Sequence, residues 1–207
     1  MVHELSNPLV KTLVNHLREE KTDALRFRHI VQELSKLLLY EALRNEATKP
    51  QTIITWQGEK SFDFIEEDNI LFVTVLRAGL PMIESLSALF PKASSGFLAM
   101  KRDEQTHKSV LYYDRVPDCK GKTVILVDPM VATGGSLIDA FELLEKRSPT
   151  KIISLNIIGS PEGLDAINAR YPKIDIFIAQ IDEKLNDDKF ILPGLGDAGD
   201  RSYNTLE

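Results

Sequence analysis

Apolar positions in this chain follow two rhythms, one helical and one strand-like. Between residues 7 and 20, Leu9, Val10, Leu13, Val14 and Leu17 return every three or four positions, and Asn7-Pro8 supplies a cap and a first-turn residue. A helix is predicted there. A second is predicted within residues 23 to 46, where Leu25, Ile30, Val31, Leu34, Leu37, Leu38 and Leu43 cover one broad face and Arg26, Arg28, Glu33, Lys36 and Arg44 are left for the other. These two helices come before any alternation of strand and helix, so they are expected to form a cover or an oligomer surface.

From Ile70 the texture changes. Ile70 to Leu76 is an almost unbroken apolar run, and similar runs recur at Val124 to Val127, Ile152 to Ile158 and Ile174 to Ala179. Helical stretches follow at Pro81 to Phe90, Leu137 to Lys146 and Gly163 to Arg170. Strands apolar on both faces and separated by helices imply an α/β fold with a central, mostly parallel sheet flanked by helices. Two shorter candidates, Gly96 to Met100 and Val110 to Tyr113, flank the polar loop Lys101 to Ser109 and read as a protruding β-hairpin rather than sheet core. No repeat or linker interrupts the chain. The expectation is one domain over 1–207, with a helical cover at 1–50 and an α/β core at 70–207.

Composition narrows the classes. The 207 residues are 43% hydrophobic, enough at this length to bury roughly 70% of the unfolded surface without metal or disulfide support. The single cysteine, Cys119, rules out an intramolecular bridge. Lys and Arg number 25 against 31 Asp and Glu, a net charge of −6 that disfavours broad nucleic-acid binding. No run approaches the ~18 apolar residues of a membrane span and no secretory leader is visible at the start, so a cytoplasmic protein is expected. His3, His16, His29 and His107 match no metal-ligand spacing. Trp56 reads as core or interface.

In open parallel sheets, ligands bind beyond the carboxyl ends of strands. That rule directs attention to Val124 through Ser136, where a buried strand ends in Asp128 and continues as Pro129, Met130, Val131, Ala132, Thr133, Gly134, Gly135 and Ser136 before a helix. Glycines let the backbone approach a phosphate, successive N–H groups form a nest, and the helix adds its positive end. A tight turn with a capping serine would account for the glycines alone; Asp128 and Thr133 favour the phosphate. Asp128 could accept hydrogen bonds from vicinal sugar hydroxyls. The nucleotide-hydrolase phosphate loop is excluded, because no lysine follows the glycines. Gly194, Gly196 and Gly199 fit G-x-G-x-x-G, but only eight residues follow, too few for a dinucleotide-binding unit.

Strand, acid and Thr-Gly-Gly-Ser loop resemble the phosphoribosyl diphosphate motif of the phosphoribosyltransferases. Asp128-Pro129, in place of two adjacent acids, resembles the uracil phosphoribosyltransferase form. The likeness extends to Leu76-Arg77-Ala78-Gly79-Leu80, to Arg102-Asp103-Glu104 with Thr106, to Ser160-Pro161-Glu162-Gly163 and to Pro193 through Arg201. It implies transfer of 5-phosphoribosyl from its 1-diphosphate to N1 of uracil, giving UMP and diphosphate. It further implies Mg²⁺ held mainly by the donor, a homo-oligomer (dimer or tetramer), and GTP as an effector in some relatives. By the same likeness, Arg77 and Arg102 meet the diphosphate and Asp128 the ribose. Residues 132–136 hold the 5-phosphate, Asp197 faces the donor, and backbone groups of Ile191, Gly196 and Ala198 pair with uracil. The loop around Arg102 would close as a lid.

Two departures stand out. Ser202-Tyr203-Asn204-Thr205 replaces the usual aromatic, glycine and threonine, though Asn tolerates a left-handed backbone. Pro81 stands where glycine is more common. A non-catalytic sensor that binds UMP or the donor is the alternative from another class, and a basic RNA-binding face would favour it.

Overall fold

The computed structural model describes residues 1–102 and 109–205, without the side chains of 101, 102 and 109. The chain runs β1 (Val2–Glu4), α1 (Pro8–Arg18), α2 (Ala24–Ala42), β2 (Thr48–Thr55), β3 (Gly58–Ile65), β4 (Ile70–Val75), α3 (Leu80–Leu89), β5 (Ser94–Arg102), β6 (Ser109–Arg115), β7 (Thr123–Val127) and β8 (Met130–Val131). It continues with α4 (Gly135–Glu145), β9 (Lys151–Gly159), α5 (Pro161–Arg170), β10 (Asp175–Ile181), β11 (Lys184–Leu185), β12 (Ile191–Leu192) and α6 (Ala198–Tyr203).

Eight strands form the central sheet in the order β1-β10-β9-β7-β4-β5-β6, with β8 added alongside β9. Every pairing is parallel except β5 with β6. Alternate residues of the central strands feed opposite faces. Phe72, Ile125, Val127, Ile153 and Leu155 pack beneath α1, α2 and α3, whereas Leu71, Val73, Val124, Leu126, Ile152 and Ile176 pack against α4 and α5. All six residues of β4 are buried, which is why that run lacks the alternation of a half-exposed strand.

Both leading helices form as their spacing predicts. Asn7 accepts a hydrogen bond from the Leu9 N–H at 2.8 Å, and Asp23 caps the second by accepting from Arg26 at 2.8 Å. Their apolar faces lie on the sheet.

The structure departs from the sequence reading in three places. The hairpin of β5 and β6 is present and antiparallel, but β5 pairs along β4, so its base belongs to the sheet and β6 is its edge. A second hairpin, β2 with β3, had no clear sequence signal, because its apolar residues are outside the core: Ile54 is 85% exposed and Trp56 91%. Trp56 is therefore not a core residue. Strand β1 was also missed, since three residues are too short to show a period.

Candidate functional site

Strand order reverses direction between β4 and β7: from β4 the chain goes outward to β5 and then returns to the other side to build β7, β9 and β10. Loops that leave β4 and β7 therefore diverge and open a crevice at their carboxyl ends. The Arg77 segment leaves β4 there, and the Asp128 segment leaves β7.

Asp128 is held on its backbone from two sides. Its N–H donates to Leu155 at 3.2 Å, and its carbonyl accepts from Asn156 Nδ2 at 2.7 Å. Asn156 is itself oriented by the Ser154 hydroxyl, which donates to its Oδ1 at 2.8 Å, and both side chains are buried. The Asp128 carboxylate takes the Met130 N–H at 3.1 Å. It keeps part of its surface open at the crevice mouth, yet protein surrounds it; the lost hydration pushes its pKa up to about 7, with the Met130 hydrogen bond opposing the rise.

Beyond Asp128 the loop is tied down by backbone contacts. Pro129 accepts from Ile157 and Ile158, each at 3.0 Å, and Met130 and Val131 pair with Ile158 and Gly159. Ser160 anchors the next turn, donating its N–H to Val131 at 2.9 Å and its hydroxyl to Ala132 at 2.6 Å, while accepting the Gly163 N–H at 3.0 Å as the cap of α5. Loop and helix touch so closely that a Cβ on Gly163 would lie 2.1 Å from the Ala132 oxygen, and one on Gly134 would lie 2.6 Å from the Gly163 oxygen. This contact explains the Ser-Pro-Glu-Gly segment, whose part could not be read locally.

Helix α4 then starts at Gly135, two residues earlier than its apolar spacing suggests. Gly134 is its cap, at φ +76° with no side-chain hydrogen bond, so Ser136 is not the capping residue. The N–H groups of Gly135, Ser136 and Leu137 have no partner within the helix. They point the positive end of an eleven-residue helix at the mouth of the crevice, the arrangement that binds phosphate.

Opposite them, Gly79 lets the chain after β4 fold back tightly: a Cβ there would meet Thr74 Oγ1 at 2.0 Å and the Val127 oxygen at 2.9 Å. The exposed Arg77 guanidinium donates to Asp200 Oδ1 at 2.9 Å and to Thr205 Oγ1 at 3.4 Å. Pro81 fits the first turn of α3. The tail thus comes to the same end of the sheet. Asp197 caps α6 by accepting from Asp200 at 2.8 Å, and a Cβ on Gly199 would stand 3.9 Å from Ala78. Asn204 ends α6 in the left-handed region at φ +53°, so the unusual tail keeps its turn.

Remote residues hold that tail. Asp182, just past β10, binds both Arg18 and the Gly194 N–H. The Arg201 guanidinium donates to the carbonyls of Leu17, Leu195 and Glu19 and stacks on Phe27 with 4.6 Å to the ring centroid. Arg28 donates to the Ser202 carbonyl at 2.5 Å. The covering helices therefore also fasten the tail.

Of the residues singled out from sequence, Arg77, Asp128 through Ser136, and the Gly196-Asp197-Ala198 turn converge on one crevice end. Ile191 and Ala198 are buried in the core beside them, whereas Gly196 and Asp197 are exposed. The Arg102 side chain, Thr106, His107 and the lid loop lie outside the described residues. Sequence reasoning missed Asn156, Arg18 and Asp182, which carry no local signal. Ser160 and Gly163 had one, through their motif.

The family model described as uracil phosphoribosyltransferase matches residues 4–205. The chain belongs to the uracil phosphoribosyltransferase family. Relatives by that name from Aquifex aeolicus and Dictyoglomus turgidum are 44% and 41% identical, covering 98% and 99% of this chain and 98% and 100% of their own. A solved structure from Aquifex aeolicus superposes with a TM-score of 0.94 at 44% identity, covering 98% of each chain. A hypoxanthine phosphoribosyltransferase from Trypanosoma cruzi, 14% identical, gives 0.52 over 81% of this chain and 85% of its own, a likeness of fold. Among the described residues, no helix is long and apolar enough to cross a membrane.

Proposed function

We propose that this chain transfers the 5-phosphoribosyl group of 5-phospho-α-D-ribose 1-diphosphate to N1 of uracil, giving UMP and diphosphate, a reaction of pyrimidine salvage. The observation that carries this reading is the loop after β7, an acid followed by a rigidly braced helix start without a side-chain cap, at the same end of the sheet as the tail that Arg77 meets through Asp200. In this reading Asp128 accepts the ribose hydroxyls. Residues Ala132 to Ser136 hold the 5-phosphate, with Pro129, Met130 and Val131 setting the loop's height. Arg77 and Arg102 take the diphosphate, a task suited to a planar, permanently charged fork. Backbone groups of Ile191, Gly196 and Ala198 read the base, and Asp197 stands between base and donor.

Positive charge grows on the ribose as the bond to diphosphate breaks. The chain's part is to align the base behind that carbon and to neutralise the departing oxygens. A backbone N–H aimed at the 4-carbonyl of uracil would face an amino donor in cytosine, a mismatch of about 1 to 3 kcal/mol. Asp200 must share Arg77 with the diphosphate or release it, since that pair is already made.

Magnesium fits the residues present in one way. Among the described residues no three His, Cys, Asp or Glu side chains converge into a cage, while Asp128 and Asp197 offer carboxylates to an ion that keeps its waters and phosphate oxygens. Bound with the donor, it would supply charge neutralisation at the diphosphate. A donor so heavily charged does not cross a bilayer unaided, which favours a cytoplasmic location. The exposed Ile54 and Trp56 of the β2–β3 hairpin support a homo-oligomer, checked by light scattering of Trp56→Ser. The GTP effector rests on the resemblance alone.

The test is incubation of purified protein with labelled uracil, donor and Mg²⁺, with cytosine, orotate and hypoxanthine as parallel acceptors and GTP added in one arm. UMP formation from uracil alone is the expected result. Absence of UMP, or equal use of another base, overturns the assignment.

A further inference from the structure

We propose that Arg18 and Asp182 are positioning residues for base selection, together fixing the backbone of the turn that reads uracil. The proposal rests on the reading that residues 191–198 receive the base. Asp182 is almost wholly buried, its side chain 1% exposed, and three donors converge on it. Arg18 Nη2 reaches Oδ1 at 2.5 Å, Arg18 Nη1 reaches Oδ2 at 2.8 Å, and the Gly194 N–H reaches Oδ2 at 2.9 Å. Arg18 Nη1 also donates to the Gly194 carbonyl at 2.6 Å. Both backbone polar groups of one loop residue are thus held by a single ion pair.

The position of Gly194 makes that hold consequential. It lies at φ +68°, and a Cβ would fall 2.2 Å from the Ile191 oxygen, so the chain there doubles back on itself between Ile191 and Gly196. On the far side of the turn, Arg201 binds the Leu195 carbonyl together with those of Leu17 and Glu19, the two neighbours of Arg18. The end of α1 therefore meets the base turn through two arginines. With Gly194, the Leu195 carbonyl and, through the Arg201 N–H, the Asp197 carbonyl occupied, the backbone groups of Gly196 and the Ala198 N–H at the start of α6 are left to meet a ligand.

A buried ion pair of this kind gives little net stability compared with an apolar pair of the same volume, because desolvation offsets its attraction. Its value is directional. The fork of Arg18 fixes distance and angle at Gly194, and a displacement of about 1 Å in a recognition element can cost on the order of 100-fold in rate.

Three variants test this. Arg18→Met is expected to raise the uracil KM by about tenfold while the donor KM stays within about twofold, and Arg18→Lys to fall between it and the parent, since lysine keeps charge but loses the fork. The double variant Arg18→Met/Asp182→Leu removes both charges together, so that no charge is left buried alone, and is expected to keep the raised uracil KM because the Gly194 backbone has lost its partners. If the folded Arg18→Met protein or the double variant binds uracil as the parent does, or if the two KM values rise together, the proposal is overturned. Ala198→Val separates the proposal from the reading beneath it. If that variant leaves the uracil KM unchanged, the base is read elsewhere; if it raises the uracil KM and Arg18→Met does not, the positioning role alone fails.

Discussion

The two halves of the crevice, which in our proposal take the donor and the base, are built by opposite means. The donor side is a nearly continuous segment, Asp128 to Ser136, clamped by the strand and helix that come next in the chain, through Asn156, Ser160 and Gly163. The base side is a tail turn whose fasteners, Arg18, Arg28 and the Leu17 and Glu19 carbonyls, lie more than 160 residues away. Backbone contacts of close sequence range give the first its rigidity, and long side chains give the second its position. The donor side should therefore fail through small steric insults, and the base side through loss of charge and reach.

The sharpest break in that comparison is Gly163→Ala. Its methyl would meet the Ala132 oxygen at 2.1 Å, so the donor loop must move. Initial-rate kinetics should show about 100-fold loss in kcat/KM for the donor, with uracil binding measured by calorimetry little changed. A donor KM within twofold of the parent would mean that loop and helix are not the rigid unit described.

Asp128→Asn comes next. Loss of a charged acceptor is worth about 1.5 to 3 kcal/mol, or roughly 10- to 100-fold in donor affinity, and uracil should be nearly unaffected. Equal weakening of both ligands would place Asp128 outside the donor site.

A pH series sharpens the same point. The carboxyl of Asp128 titrates at about 7 in the free protein, above its ordinary 3.8, so the folded chain retains a proton that the unfolded chain has released between those values. Stability from this group is accordingly greatest below pH 4 and declines as pH rises toward 7. In the role proposed for Asp128 donor binding needs the carboxylate, so affinity should rise as pH climbs, with about tenfold between pH 6 and 8. Asp128→Asn should remove the part of the slope not due to the donor's own phosphate. An identical slope in that variant would dissociate Asp128 from the titration.

The smallest effect is expected at Ser154→Ala, which leaves Asn156 Oδ1 without its donor. About 1 kcal/mol of stability should be lost, lowering Tm by roughly 2 to 4 °C, with a modest rise in donor KM. An unchanged Tm would show that Asn156 is oriented without it.

Sequence legibility follows the same division. β4, β7, β9 and the five longer helices announce themselves because burial imposes a period or an unbroken apolar run on them. The Asp128 loop is legible because acid, small residues and helix start are adjacent. Arg18 and Asp182 are not, since a single charged residue at the end of a strand or helix is a common surface pattern, and Asn156 is not, since one amide inside an apolar run carries no signal of its partner; only the folded chain shows what each of them holds. The β2–β3 hairpin escaped for the converse reason: Ile54 and Trp56 look like core, yet no core lies under them.

Synthesis order gives the tail's anchorage a temporal meaning. Helices α1 and α2 precede the 194 to 205 stretch in the chain, so the contacts of Arg18 with Gly194 and of Arg28 with Ser202 can form only after that stretch is made. In the proposed assignment the phosphate cradle is closed by segments made soon after it, whereas the pyrimidine seat depends on contacts between distant parts of the chain.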